Sequence, residues 1–139
     1  VPLTNLENLV ASGKLQHEAP SRDEFAGLVG SGERRLRDAG NLDNAEDSRF
    51  DLAYNAAHAF ALAALRWHGY RPENRYIVFL ALEHTLGIDK PTCRLLAKCH
   101  DHRNRTEYGG HSPVDEKMLA ELIGAAATLR EKLRALAAP

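Results

Sequence analysis

Residues 44–68 read NAEDSRFDLAYNAAHAFALAALRWH, and no other part of the chain constrains the architecture as tightly. The segment is apolar on most sides, which suits the central helix of a bundle. Ala53, Ala56, Ala57, Ala59, Ala61, Ala63 and Ala64 let neighbouring helices approach closely, while Phe50, Tyr54, Phe60 and Trp67 fill the remaining volume. Asp43-Asn44-Ala45-Glu46 offers a helix start, and Gly69 stops the pattern.

On either side the punctuation is again that of helix starts and stops. Residues 3–12 read as a short helix closed by Gly13. Ser21-Arg22-Asp23-Glu24 is a capping-box pattern, in which the Ser and Glu side chains satisfy orphan amides, and its helix runs to Ala39 before Gly40. Arg71-Pro72-Glu73 reads as a loop, and residues 74–86 as a helix ended by Gly87. Asp89 and Pro91 open a helix that continues to Tyr108 and breaks at Gly109-Gly110. Ser112-Pro113-Val114-Asp115 starts the last, with proline in the first turn, where its missing N–H costs nothing. There Val114, Met118, Leu119, Leu122, Ile123, Ala126, Leu129 and Leu133 recur at three- and four-residue spacing as one apolar stripe.

No segment alternates with period two between hairpin signals, so strands are not expected. The expectation is one all-α domain over 1–139: an antiparallel bundle of about five helices over 21–137, preceded by an N-terminal helix or extension over 1–20.

The composition agrees with a globular domain. The chain has 139 residues, 44% of them hydrophobic and 27% charged, with 18 Lys+Arg against 19 Asp+Glu. At a formal net charge of −1 no global field draws the protein to a polyanion, so any such site must be local. No stretch approaches the ~20 apolar residues needed to span a bilayer, and the first residues have neither a basic start nor a hydrophobic signal core. Cys93 and Cys99, six apart on one helix, are poorly placed to bridge each other, so a reduced, cytoplasmic setting is expected.

The chemistry-bearing segment is His100-Asp101-His102-Arg103-Asn104-Arg105-Thr106-Glu107-Tyr108-Gly109-Gly110-His111. Thr92, Leu95, Leu96 and Cys99 form an inward stripe that, continued, passes through Arg103 and Thr106. An inward stripe that turns to arginine is unusual, because burying an unpaired charge is expensive. Either a neighbouring carboxylate pairs Arg103, or the residue faces a cleft where an anion sits; a solvated Arg103–Glu107 pair is the structural alternative.

Arg94, Lys98, Arg103 and Arg105 crowd this helix, and Arg66, His68, Arg71 and Arg75 surround a bundle-end turn. Either group also reads as plain solvated surface. Cys93, Cys99, His100 and His102 are soft or borderline ligands, but they lack the i, i+4 spacing that presents two of them on one face. No metal is expected. His58 and His84 read as core or interface histidines, and Tyr54 and Trp67 as core aromatics with polar tips.

The same segment resembles the motif of the HEPN superfamily: an Arg, often followed by Asn or Asp, with a His four to six residues after the Arg, near the end of a late helix in a four- or five-helix bundle. Arg103-Asn104 matches its beginning, and Tyr108 stands at the histidine position. Glu107-Tyr108 resembles the acid–Tyr pair of a subset of HEPN-like proteins. A second register, Arg105 to His111, satisfies the spacing but spans Gly109-Gly110. Residues 51–59 resemble the Tyr- and Ala-rich second helix of that bundle, and the likeness covers roughly residues 21–134.

What the resemblance implies is a homodimeric module, without cofactor, of a toxin–antitoxin system. Active members of the family are metal-independent ribonucleases that cleave through the 2′-hydroxyl, and such chemistry needs a proton donor and acceptor near neutrality and a cation for the phosphorane. Tyrosine, with a reference pKa of about 10, is ionised to roughly one part in a thousand at pH 7.

Three readings therefore stay open. The first is a module that binds RNA, a nucleotide or a nucleotidyltransferase-type partner with weak or no catalysis. In it Arg103 holds a phosphate, Asn104 orients it, Arg105 adds charge, and Tyr108 hydrogen-bonds, stacks or accepts a modification. The second is an endoribonuclease toxin, with Arg103 and Tyr108 helped by His100, His102 or His111. The third is a structural helical interaction domain.

Overall fold

In the computed structural model the described residues are 2–109, 115–137 and 139, with residues 2, 3 and 106–109 described by their backbone alone. The element order is α1 (Pro2–Ala11), β1 (Leu15–His17), α2 (Arg22–Ala39), α3 (Glu46–Trp67), β2 (Tyr70–Pro72), α4 (Arg75–Leu80), α5 (Leu82–Thr85), α6 (Lys90–Gly109) and α7 (Glu116–Arg134). The fold is all-α, with one small two-stranded sheet among the described residues.

The 22-residue α3 is the central helix, packed most extensively against α2 and α7. All its alanines from Ala53 to Ala64 are buried, together with Phe50, Tyr54 and Phe60. One contact shows why small residues matter here. A Cβ placed on Gly32 of α2 would lie 2.5 Å from the Phe60 ring, so the ring packs flat on bare backbone. On α7 the buried residues are Met118, Leu119, Leu122, Ala125, Ala126, Leu129 and Leu133, close to the expected stripe. Ile123 is half-buried, and Val114 lies outside the described residues.

The helix ends follow local chemistry. Ser21 accepts from the Glu24 amide, Asn74 from Ile77 and Asp115 from Lys117. The expected capping box is only half formed, because the Glu24 carboxylate accepts from Arg66 and Arg71. A charge-assisted bond to a buried guanidinium outweighs a neutral amide cap. Gly69 stops α3 with φ +90°, a conformation that an L side chain rarely adopts.

Two expectations need correction. Strands do occur: β1 pairs antiparallel with β2, Leu15 opposite Pro72 and His17 opposite Tyr70, where residues 71–73 were expected as loop. Neither strand exceeds three residues and their partners are distant in sequence, so no alternation or hairpin turn marks them. The helix expected over 74–86 is divided at Ala81 into α4 and α5. An N-terminal helix does stand within residues 1–20, as α1, and Leu6 of α1 and Leu15 of β1 are 1% and 2% exposed within the common core. None of the helices among the described residues is long and apolar enough to cross a membrane.

Candidate functional site

Along α6 the buried positions are Cys93, Leu96, Cys99 and His102: of the expected stripe Leu96 and Cys99 are buried, whereas Thr92, Leu95 and Arg103 are only half-buried. Steps of three residues fall about 60° short of a full turn each, so the buried face winds round the helix. The helix meets α4, α5 and α7 as well as α3, and each takes a different face. Arg103 therefore lies beside the buried line, half-exposed, and His102 occupies the core position expected of it.

Arg103 faces α3. Its guanidinium carbon stands 5.3 Å from the centre of the Tyr54 ring, and that of Arg75, from α4, stands 5.9 Å from the same ring. Two cations thus meet one aromatic ring. The Tyr54 ring is wholly buried, and burial raises its phenol pKa further above 10. A negative charge on this oxygen is not accessible near neutrality. Exposed carboxylates lie near, Asp51 on α3 and Asp101 on α6.

His100 links the elements. Its Nδ1 is 2.8 Å from the Tyr54 hydroxyl, and the Asn104 amide nitrogen donates to its Nε2 at 3.1 Å. With Nε2 accepting, a neutral ring carries its proton on Nδ1 and donates it to the Tyr54 oxygen. Burial lowers the His100 pKa below 6.5, with Arg103 and Arg75 adding to the effect and Asp101 opposing it. His58, one turn along α3 from Tyr54, is pushed down to about 4, chiefly by burial, then by Arg75, His100 and Arg103. Both rings are neutral at pH 7. Phe79 packs edge-on to Tyr54 and His58, and Tyr76 lies 5.6 Å from His100.

The structure brings together some of the residues expected at a site and separates others. Arg103 and Asn104 converge with His100, but Asn104 holds that imidazole instead of pointing at a ligand. His102 is directed away from this group, 7% exposed and packed on Phe50 at 4.8 Å, so it does not join the site as expected. Its core position on the winding buried face of α6 is the cause. Arg105 is exposed. Tyr108 lies on the last turn of α6, with its side chain outside the described residues, as is all of His111. Tyr54, taken as a core aromatic, is also the platform of the cluster. Arg75 and Tyr76 are the residues that the motif did not flag.

The two expected groups of positive charge meet in one residue only. Arg66, 2% exposed, donates to Glu24 and to the carbonyls of Glu18, Ala19 and Tyr70. Arg71 donates to both Glu18 and Glu24. This pair clamps the β1–α2 connection to the end of α3 and serves the fold. Arg75 alone passes from that group to the Tyr54 cluster. Cys93 and Cys99 are buried free thiols, Cys99 pushed up to about 12 by burial, and neither suits nucleophilic or metal chemistry. Among the described residues no group of three or more His, Cys, Asp or Glu is placed to hold a metal ion. A polar cleft of about 310 Å³ beside Asp89, Thr92 and Lys132 shares no residue with the Tyr54 cluster.

No protein-family model matches the chain, and no curated protein matches it.

Proposed function

We propose that the chain is a HEPN-like module that binds RNA or a nucleotide through phosphate, with weak or no catalysis. One observation carries the reading: Arg75 and Arg103, from separate helices, converge on the Tyr54 ring. Two guanidiniums drawn to one ring from separate helices offer a phosphate charge-assisted donors from two directions. The surrounding histidines are neutral near pH 7 and do not compete for the anion.

The bonding of His100 favours binding over cutting. Its Nε2 lone pair accepts from Asn104 and its Nδ1 faces Tyr54, so a substrate 2′-hydroxyl finds no vacant nitrogen on this ring. The endoribonuclease reading draws support from the same ring, because a neutral imidazole beside two guanidiniums has the right parts once Asn104 turns aside. Homodimerisation, a nucleotidyltransferase-type partner and a place in a toxin–antitoxin pair belong to the proposal through the HEPN resemblance.

The test is binding of a labelled single-stranded RNA by fluorescence anisotropy, with cleavage followed in EDTA. Affinity is expected to fall with rising salt, and Arg103→Ala and Arg75→Ala each to weaken it about tenfold or more. No 2′,3′-cyclic ends should accumulate. Unchanged affinity in both variants removes the phosphate site. Metal-independent cutting that His100→Ala abolishes establishes the ribonuclease instead.

A further inference from the structure

We infer that Tyr76 is a stacking platform for a nucleobase, so that the site takes a single-stranded segment with its bases and not a bare polyphosphate. This rests on the phosphate-binding reading above. Tyr76 is 41% exposed, one of three large hydrophobic side chains so exposed among the described residues. It directly follows Arg75 on α4, and its ring is 5.6 Å from His100, whose own ring is 6.1 Å from Tyr54. The exposed ring is thus separated by one imidazole from the ring that both guanidiniums meet.

The ring is also held by a firm support. Asn74 caps α4 at Ile77, and Ile77, Val78 and Phe79 are buried, so the backbone carrying Arg75 and Tyr76 is anchored on the core. An aromatic face left in water beside fixed cations is the arrangement by which proteins hold unpaired strands, the base stacking while the cations take the backbone. A duplex hides its base faces within its own stack and offers Tyr76 nothing to cover. An apolar protein helix is disfavoured by His100 beside the ring and by the two guanidiniums on Tyr54 beyond it.

The experiment uses the full chain and three probes: a short oligouridylate, an abasic strand of equal length, and inorganic polyphosphate. Tyr76→Ala is expected to weaken oligouridylate about 5- to 100-fold, the loss of one base–aromatic stack, and to leave polyphosphate and the abasic strand unchanged. Tyr76→Phe, which keeps the face, should bind as the parent does. Arg103→Ala should weaken all three probes.

Equal affinity of the parent for the abasic strand and oligouridylate overturns the platform and leaves the phosphate site standing. So does an equal loss for polyphosphate in Tyr76→Ala. A Tyr76→Ala chain that changes oligomeric state while keeping its affinity assigns the ring to a protein contact and also overturns it. A parent chain that binds none of the probes ends the phosphate reading, and this inference with it.

Discussion

Acidification should destabilise the protein before Glu18 and Glu24 titrate, and His58 should be the reason. In the unfolded chain this ring takes up a proton at about pH 6.5; in the folded chain, buried near Tyr54 and Phe79 and facing Arg75, His100 and Arg103, it does so only at about 4. The unfolded state therefore binds more protons between those values, and stability falls as pH drops from about 6.5 to about 4. The full shift corresponds to about 3 kcal/mol at ~1.4 kcal/mol per tenfold, and partial exposure of the ring trims this to about 2.

Other groups act in or near that window. His100 shifts in the same direction and adds to the loss. Glu46 has its pKa raised by a hydrogen bond with Glu116, so this pair gains stability as pH falls and opposes it. Glu18 and Glu24 are held below 4.5, first by hydrogen bonds from Arg71, so their contribution is intact above 4.5 and lost only below it. The measurement is therefore a difference: urea denaturation from pH 7.5 to 4.5 on the parent and on His58→Gln. The variant's curve should be flatter by about 2 kcal/mol across the window. Parallel curves, or a ring that titrates by NMR near 6.5 in the folded chain, would refute the reasoning.

Arg66→Ala should cost about 3 kcal/mol and lower Tm by about 10 °C, since it strips donors from three carbonyls and leaves Glu24 to the half-exposed Arg71. Arg71→Ala, at a side chain 37% exposed, should cost about 1 kcal/mol or less in the same thermal scan. Gly32→Ala should destabilise by about 1–2 kcal/mol in chemical denaturation, because its methyl meets the buried Phe60 ring and overpacking exceeds the gain in helix propensity. Gly27→Ala, on the same helix with nothing within 4 Å of the added Cβ, should stabilise by up to about 1 kcal/mol. If the two glycines respond alike, close packing of α2 on Phe60 is not what separates them.

The helices were legible in the chain because their signals are local. A serine three residues before a glutamate, an alanine-rich apolar run and a glycine after it each act within one or two turns. The β1–β2 ladder was not legible, because its two strands meet only after α2 and α3 have been placed between them. Arg66 was misjudged for a related reason. On paper it belongs to a basic turn, yet a buried guanidinium is acceptable only when several acceptors surround it. Those acceptors come from residues 18–24 and 70, most of them brought there by the same unseen ladder.

At the candidate site, the motif named residues of α6 and carried no information on the neighbours that they meet. Three-residue repeats on α6 turn the buried line toward His102 and leave Arg103 beside it, a drift that a straight 3.6-residue stripe does not show. Tyr54, over which Arg103 lies, and Arg75, which meets the same ring, are on α3 and α4 and carry no spacing relation to the motif. An alanine-rich helix with one buried tyrosine reads as core, and Tyr54 is core. Among the described residues the phenol at the centre of this cluster is the buried one on α3, which meets His100 by its hydroxyl and two arginines by its ring. Tyr54→Phe separates those two roles. It should keep Arg103 over the ring while removing the hydroxyl that meets both His100 and Arg75, so that His100 is freed to turn.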